Sequence, residues 1–440
     1  MGVKLKDRWH SSLILFSMSL MVVLLILAAV QSCQKSVPQE SSVEIKFMHG
    51  WGGNGTDHIA MRDIYQGFQD SRPDVNLVID SAPDISIVID KACDMLAVDR
   101  MPEIISTNGR GIYVANATAK GTALNLTPHI LHDEQLRGCV PPTLLSQVEN
   151  NQPLYSIPDA MEVQGLWYNR TILEEAGLLS PGQSLPSSWD EFMKLCQELV
   201  EWADCENREI MPFALDHQRY LTIFVALLAS RGGEDYLRQL SQGYLDENLI
   251  ECLGYLRELK KLSWPEIFSL GINDGRQSFE EGRSVFFLNG VWDNIVFAGT
   301  DLEPHLGYSA YPGLDGVTVS YVSLSEGYVI SAMSSPKQQE ASLDFLKYIL
   351  SEEVQTRIME ETLQVPLNPA VKVEMIRDAH PLLGMAFGEA YKAQIQVSTV
   401  YSLWHEAVVA AFNDNIAGYL DGKITARQMA QLMEETRLGL

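Results

Sequence analysis

The stretch VEIKFMHGWGGNG, residues 43 to 55, is the starting point for the fold class. Its first seven residues, Val43–His49, alternate polar and apolar side chains and predict a β-strand that runs directly into a glycine-rich turn. Further short apolar runs at residues 75–79 and 104–105 predict more strands, and segments with helical periodicity separate them. This alternation of short strands and helices indicates an α/β protein with largely parallel sheets.

Two later segments carry helix-start signals. The spacing of Ser188-Trp-Asp-Glu191 is that of a capping box, and the apolar residues after it recur at helical intervals: Phe192, Leu195, Leu199 and Trp202. Ser335-Pro336 opens a second helix with proline at the first helical position. Its apolar stripe is Phe345, Leu346, Ile349 and Leu350, and we expect Pro366 and Pro369 to end it.

The N-terminal segment has the parts of a secretory leader. Basic residues precede an apolar run over residues 13–30, and Gln31-Ser32-Cys33 follows the run. The run is long enough to span a bilayer, so an uncleaved anchor helix is the alternative. Residues 30–33 resemble the lipobox of bacterial lipoproteins, which implies a signal peptide over residues 1–32 and a lipidated tether over residues 33–42 that starts at Cys33. The lipid anchor would then be the only contact with the membrane.

Length and charge limit the partners. Without the leader about 400 residues remain, which suits roughly two domains. The formal net charge of −25 argues against nucleic acid and anionic phospholipid as partners, because both would be repelled.

Cysteine and histidine spacing gives no framework for disulfides or metals. Five cysteines follow Cys33, an odd number without a CxxC pair, and the nine histidines lack metal-ligand spacing. We therefore expect no metal and no cofactor. Cys196 and Cys205 could pair, but Cys196 falls within a predicted helix, and free thiols are preferred.

Catalytic patterns are weak. Residues 50–55 match the GxGxxG spacing of dinucleotide sites. Because an exported chain has little access to NAD, we interpret these glycines as a turn that approaches a ligand closely.

Acidic pairs such as Asp159 with Glu162, and Glu280 with Glu281, suit glycosidase chemistry in principle. Because acidic residues are abundant, such pairs also arise by chance. We expect no enzyme; a lipid-anchored carbohydrate hydrolase and a structural or adhesive surface protein remain alternatives.

A series of motifs, in order along the chain, carries a family resemblance. They are FMHGWGGNG from Phe47, PEIIS from Pro102, LNLTPHI from Leu124, YSIPDAMEVQGLWYNR from Tyr155, EEAGL from Glu174, LPSSWDEF from Leu185, SFEEGRSVFFLNGVWD from Ser278, YPGLDG from Tyr311, SEGYVIS from Ser325 and FLKYILSEEVQ ending at Gln355. Together they resemble the bacterial extracellular solute-binding proteins of family 1, the sugar-binding group that includes maltose-binding protein.

The resemblance implies a two-lobed, periplasmic-binding-protein-like α/β fold with a hinge and an interlobe ligand cleft. The chain would cross between lobes near Ile157, Tyr311 and Val365. The N-terminal lobe would combine residues 43–157 with 312–364, and the C-terminal lobe would combine 158–311 with 365–440. The implied function is extracytoplasmic solute binding, of carbohydrate before other solutes, at the cell surface or in the periplasm, by a monomer that delivers a mono- or oligosaccharide to the permease subunits of an ABC importer.

The same resemblance places candidate ligand contacts at turns that follow the strands. These candidates are Trp51, Asn54, Asn108, Arg110, Glu162, Asp216, His217, Trp292, Asp293, Glu326, Gly327, Tyr328 and Trp404. A sugar needs planar polar partners for its hydroxyls and an aromatic ring for its C–H faces. Trp292 is therefore expected to stack on the sugar, with Asp293 and Asn294 as hydroxyl partners, and Glu162 occupies the position of a sugar-contacting glutamate. Core packing is the alternative for the tryptophans, and turn geometry for Asn54, Asn108 and Gly327. Trp167 and Trp189 are interpreted as structural.

Overall fold

The computed structural model describes residues 42–324 and 327–440, which form two β-sheets covered by helices. The strands are β1 Val43–His49, β2 Val75–Ser81, β3 Ile104–Ser106, β4 Ala160–Asn169, β5 Met211–Phe213, β6 Ser284–Gly290, β7 Leu306–Ser309, β8 Val319–Ser323, β9 Tyr328–Ile330, β10 Val365–Pro366 and β11 Ile395–Val397. The leader and Cys33 lie outside the described residues.

Helices separate the strands along most of the chain. In order they are α1 Thr56–Ser71, α2 Ile85–Ala97, α3 Gly111–Ala119, α4 Thr127–His132, α5 Glu134–Cys139, α6 Pro142–Glu149, α7 Arg170–Glu175, α8 Trp189–Cys205, α9 His217–Leu240, α10 Glu247–Lys261, α11 Ile272–Glu280, α12 Asn294–Phe297, α13 Pro336–Ile349, α14 Glu352–Thr362, α15 Val373–Ala379, α16 Pro381–Lys392, α17 Glu406–Leu420 and α18 Ala426–Leu438. The expected α/β class is confirmed.

The first sheet has the strand order β2-β1-β3-β9, and we call it with its helices the first lobe. Strands β1, β2 and β3 are parallel, and β9 is antiparallel to β3. Successive residues of β1 enter different cores: Phe47 packs with α1 and α13, whereas Met48 packs with α2 and α3. Side chains alternate across a strand, so this sheet is covered by helices on both faces.

The second sheet has the order β11-β8-β4-β6-β5, with β7 and β10 also paired to β4, and it defines the second lobe. Strand β4 is antiparallel to both β6 and β8, while β5 is parallel to β6 and β11 is parallel to β8. Leu166 enters the core under α8 and α9, and Trp167 enters the core under α11 and α16. Trp167 and Trp189 are both buried, as expected for structural residues.

Three segments connect the lobes. The chain leaves the first lobe at Ile157, which bridges Tyr328, and enters β4; it returns between β8 and β9, and leaves again at β10, which pairs with the start of β4. The expectation of a crossing at Tyr311, with residues 312–364 in the first lobe, is wrong. Strand β8 pairs with β4 and β11, and Tyr311 lies in a second-lobe core, so the crossing falls after Ser323.

The two predicted helices form, with different ends. Ser335 and Gln338 make a complete capping box for α13, but this helix ends at Ile349, and Ser351 caps a separate helix α14 before Pro366. Ser188 is the N-cap of α8, but its side chain makes no capping hydrogen bond.

Some features are absent from the described ranges. There, no helix is both long enough and apolar enough to cross a bilayer. In the same ranges, no three histidine, cysteine or acidic side chains converge as a metal site would require. Cys196 is a buried free thiol and Cys205 an exposed one, so the pairing left open by the sequence does not form.

Candidate ligand-binding cleft

The strand directions bring the two sheets together at one cleft. Strands β1 and β3 end at one edge of the first sheet, and β5, β6, β8 and β11 end at one edge of the second sheet. Strand β4 starts at that second edge, because Glu162 pairs with Ser323 and Gln164 pairs with Gly290. The crossing segments join the sheets at these two edges, so the loops that follow the strands of both lobes face each other, as in other α/β ligand sites.

Trp51 lies in the turn after β1 and is held from both sides. Its backbone N–H donates to His49 Nδ1 (3.0 Å), and its carbonyl accepts from Arg62 Nη1 (2.5 Å). The indole is half-buried and contacts the His58 ring edge-on, with ring centroids 5.2 Å apart. Asn54, in the same turn, is exposed.

The glycines of this turn have a chain-packing role. A Cβ on Gly52 would lie 2.7 Å from the carbonyl carbon of Ala82, and the Gly52 N–H donates to the Ala82 carbonyl. The sequence analysis expected this turn to approach a ligand closely. Gly52 also approaches the backbone at Ala82 closely, and this contact accounts for glycine at position 52.

His49 is neutral at physiological pH. Burial, followed by the positive charge of Arg62 and the neighbouring His58, lowers the pKa of His49 to about 4. Because Nδ1 accepts from the Trp51 N–H, the proton of the neutral ring is on Nε2. His49 is thus a positioning residue for the Trp51 turn that sequence reasoning did not identify.

Asn108 and Arg110 follow β3 at the cleft edge. Asn108 has a φ of 43°, and the Ser106 hydroxyl donates to its Oδ1 (2.8 Å). The side chain of Asn108 therefore also stabilises its own turn, the alternative that the sequence left open. Arg110 is exposed and precedes α3.

Gly327 and Tyr328 belong to the crossing, which corrects their expected place on the cleft surface. A Cβ on Gly327 would lie 2.3 Å from the Ile157 carbonyl oxygen and from Pro158 Cα, so glycine is needed for chain packing. Tyr328 is 1% exposed; its hydroxyl donates to Asp159 Oδ2 (2.7 Å) and lies 3.0 Å from the Tyr65 hydroxyl. Burial raises the pKa of the Asp159 carboxyl. Glu326, the neighbouring candidate, lies outside the described residues.

Asp216 and His217 lie at the start of α9, beyond the end of β5. Asp216 is buried, and its Oδ1 accepts from the Arg219 backbone N–H (3.0 Å) as the N-cap of the helix. The Arg219 guanidinium is held by the Leu288 carbonyl (3.2 Å from Nε) and lies 3.8 Å from Asp216 Oδ1. The sequence analysis did not identify Arg219 as a candidate. Its position three residues after an N-cap aspartate nevertheless puts it in the first turn of α9, beside Asp216.

Trp292 is 37% exposed and lies on the short turn Val291–Asp293 after β6. Its ring covers Gly290: a Cβ on Gly290 would be 2.3 Å from Trp292 Cζ3. The Gly290 carbonyl accepts from Trp167 Nε1 (3.2 Å), which fixes the base of the turn. The structure therefore gives Trp292 the exposed flat ring that sugar stacking requires.

Asp293 is buried beside two polar side chains. Its carboxylate accepts from Asn289 Nδ2 (2.5 Å) and from Arg276 Nη1 (3.4 Å). Burial raises the pKa of Asp293 to about 6, and Arg276 and Asn289 oppose that rise. Asn294 is fully buried, and both its amide atoms lack a partner within the described chain.

Glu162 is on β4, close to the hinge, where the Ser323 hydroxyl approaches its Oε2 at 3.5 Å. Its side chain is half-buried. Register places it at the edge where β8 ends, between the crossing segments and the Trp292 turn. It can present a carboxylate to a ligand hydroxyl from the floor of the cleft.

Trp404 is in the second-lobe core, which corrects its expected place opposite the ligand. It is 4% exposed, its indole N–H donates to the Leu237 carbonyl (3.0 Å), and its ring packs edge-on against Tyr244.

Tyr401, three residues before Trp404, is 58% exposed in the loop after β11. Its loop follows β11 at the sheet edge where β5, β6 and β8 also end, so the ring lies at the cleft edge.

Comparison with known sequences identifies similar proteins. Residues 131–356 match the family described as bacterial extracellular solute-binding protein. The chain is 25% identical over 266 residues to the multiple sugar-binding protein of Streptococcus mutans, covering 55% of this chain and 58% of that protein. It is 20% identical over 299 residues to a maltooligosaccharide ABC transporter solute-binding lipoprotein of Streptococcus pneumoniae, covering 65% and 66%. The chain thus spans less than two thirds of the length of each relative.

Comparison with solved structures shows the same fold. A Streptococcus pneumoniae solute-binding protein in complex with the blood group A-trisaccharide has a TM-score of 0.75 at 22% identity, covering 90% of this chain and 100% of that one. A chitin oligosaccharide binding protein also has a TM-score of 0.75, at 18% identity, covering 91% and 99%. The two-lobed solute-binding fold is therefore confirmed.

Proposed function

The chain belongs to the family of bacterial extracellular solute-binding proteins, and from this premise we propose that it captures a carbohydrate in the cleft between its lobes and delivers it to the permease of an ABC importer. The relatives named for multiple sugars and for maltooligosaccharides support a carbohydrate ligand. Binding and lobe closure constitute the whole activity, and no bond of the ligand is broken.

The observation that carries the proposal is the second-lobe surface around Trp292. An exposed ring lies over Gly290, and the half-buried carboxylate of Glu162 lies at the same sheet edge. An aromatic face takes the C–H face of a pyranose, and carboxylates accept hydrogen bonds from its hydroxyls. The first lobe contributes Trp51 from the opposite side, and His49 and Arg62 hold the Trp51 backbone by hydrogen bonds.

Attachment at Cys33 completes the proposal. Acylation of this cysteine after removal of residues 1–32 would hold the protein at the extracytoplasmic face of the cell membrane while the lobes remain free to close. Mass spectrometry of protein extracted from membranes tests this step. We expect an acylated N-terminal peptide beginning at Cys33, and no acylated peptide in a Cys33→Ala variant.

Thermal unfolding of residues 42–440 with a panel of mono- and oligosaccharides tests the binding function. A ligand at about 100 times its dissociation constant stabilises the native state by about 2.7 kcal/mol. We expect at least one sugar to raise the unfolding midpoint, and chromatography of that sugar after incubation to recover it intact. A panel in which every sugar leaves the midpoint unchanged would contradict a carbohydrate ligand, and recovery of cleaved sugar would favour the hydrolase alternative.

A further inference from the structure

A side-chain hydrogen bond joins two of the segments that connect the lobes. Asp159 lies between Ile157 and the start of β4 in the second lobe, and Tyr328 is the first residue of β9 in the first lobe. The Tyr328 hydroxyl donates to Asp159 Oδ2 (2.7 Å), next to the backbone bridge between Ile157 and Tyr328. This bond therefore runs from the first-lobe sheet to the residue that leads into the second-lobe sheet.

Tyr65 on α1 extends this hydrogen bond into the first-lobe core. Its hydroxyl lies 3.0 Å from the Tyr328 hydroxyl, and its fully buried ring packs edge-on against Phe47 with centroids 4.8 Å apart. A phenol has one hydrogen to donate, and Tyr328 donates it to Asp159, so Tyr65 is the donor to Tyr328. The chain of hydrogen bonds thus has one direction, from Tyr65 through Tyr328 to Asp159.

The Asp159 carboxylate depends on this chain. Burial raises its pKa, the Tyr328 hydroxyl opposes that rise, and no charged side chain of the described residues offsets the carboxylate charge. A carboxylate that loses its donor away from water is costly, so a lobe orientation that separates Asp159 from Tyr328 is disfavoured. Rotation of two domains changes backbone angles in the segments that connect them, and here those segments carry Asp159 and Tyr328.

We propose that the Tyr328–Asp159 hydrogen bond is a latch that holds the lobes in the orientation seen here, with Tyr65 as its positioning residue. Rotation of one lobe against the other breaks this bond, so the latch lowers the population of other orientations in the protein without ligand. Gln355 Nε2 donates to the Asp159 carbonyl (2.7 Å) and fixes the backbone from which the carboxylate projects. The latch acts without ligand, so its test is independent of the proposed carbohydrate binding.

Distances between spin labels on the two lobes test the latch in residues 42–440 without sugar. One label is attached to Cys205, an exposed free thiol at the end of α8. The other is attached to the thiol that Lys337→Cys introduces at an exposed position of α13. Every sample also carries Cys93→Ser, because the Cys93 thiol is half-buried and could take up label. Double electron–electron resonance then measures the distribution of distances between the lobes.

Two variants remove the latch from its two ends. Tyr328→Phe removes the donor and keeps the ring, and Asp159→Ala removes the acceptor. A hydrogen bond to a charged group changes an equilibrium constant about tenfold or more, so both variants should raise the ratio of other orientations to the one seen here about tenfold. Tyr65→Phe should have a smaller effect in the same direction. Asp159→Asn should retain the distribution, because the asparagine Oδ1 still accepts from Tyr328.

Tyr113→Phe is the matched control. Tyr113 is fully buried on α3 in the first lobe, and its hydroxyl has no partner within the described chain, so its loss should leave the distances unchanged. Distances in Tyr328→Phe and Asp159→Ala that match those of the labelled parent would overturn the latch, and either variant alone decides this if the other does not fold. An Asp159→Asn variant that shifts as far as Asp159→Ala would also overturn it, since asparagine retains the acceptor.

Discussion

Gly290 shows how one residue without a side chain can position a ligand contact. Its φ of −89° suits any residue, so the need for glycine comes from the Trp292 ring, whose atoms are the three nearest to an added Cβ. Gly290→Ala should displace that ring and lower sugar affinity about tenfold, with little change in the free energy of unfolding. Titration calorimetry and tryptophan fluorescence measure both effects.

Gly254→Ala provides the control for Gly290→Ala. Gly254 is inside α10, and an added Cβ there meets no atom of the described chain beyond its own stretch of helix within 4 Å. Alanine at this position should raise helix stability by about 0.5–1 kcal/mol and leave affinity unchanged. Normal sugar binding by Gly290→Ala would show that the ring orientation seen here is not needed.

Substitution of Glu162 distinguishes a role in ligand binding from a role in fold stability, because the two roles predict different effects on affinity and on the unfolding midpoint. Hydrogen bonds to a charged group contribute about 1.5–3 kcal/mol, so Glu162→Ala should weaken sugar binding about ten- to hundredfold. Its half-buried position predicts only a small change in the unfolding midpoint. Glu281→Ala, at the exposed end of α11 where the chain turns into the start of β6, is the control and should bind normally.

The sequence predicted some of these residues and missed others for physical reasons. Trp292 follows a recognisable strand, so its loop position was evident. Tyr401 and Trp404 lie three residues apart in one loop, and sequence alone does not show which ring faces solvent. The role of His49 depends on a hydrogen bond to a backbone N–H, which no side-chain pattern reveals.

At the scale of elements, strands were predicted better than the crossings between lobes. The alternation in Val43–His49 gave β1 with its observed ends, because that pattern is local. The second crossing depends on whether β8 pairs with β4 or with the first sheet, which is a long-range choice. A helix expected to continue to Pro366 instead breaks at Ser351, whose side chain caps a new helix.

Gln355 on α14 ties two crossing segments together. It is fully buried; its Oε1 accepts from the Leu367 N–H (2.6 Å) and the Asn368 N–H (3.2 Å), and its Nε2 donates to the Asp159 carbonyl (2.7 Å). Gln355→Met would leave these buried backbone groups unpaired, at about 1–3 kcal/mol for each group that finds no water. We expect a clear fall in the unfolding midpoint and a changed distribution of lobe orientations in small-angle scattering.

Gln339→Met is the control for this prediction. Gln339 also donates to two carbonyls, of Ala332 and Ser334, but all three residues belong to the first lobe. Its replacement should lower stability less and leave the lobe orientation unchanged. If both variants gave the same scattering curve as the unmodified protein, Gln355 would contribute to stability but not to the hinge.

The whole molecule contains two lobes whose buried titratable groups respond oppositely to acid. In the first lobe His49 has its pKa lowered from 6.5 to about 4, so the native state resists protonation. The unfolded chain therefore binds a proton at this histidine more readily than the native state does. The free energy of unfolding is highest above pH 6.5 and falls by about 3 kcal/mol in total as pH falls towards 4.

In the second lobe Asp293 has its pKa raised from 3.8 to about 6. Its contribution is fully present below pH 3.8 and is lost as pH rises through 6, again by about 3 kcal/mol.

Hydrogen exchange measured at pH 7 and pH 5, corrected for intrinsic exchange rates, separates these contributions because it reports local opening. Between pH 7 and pH 5, His49→Gln should reduce the acid-induced loss of protection in β1 and α1, because glutamine does not titrate. Asp293→Asn should remove a gain of protection around β6 over the same interval. Each variant should leave the other lobe unchanged, since the two groups lie in different cores. A variant whose pH dependence matches that of the unmodified protein would show that its residue does not control the acid response of that lobe.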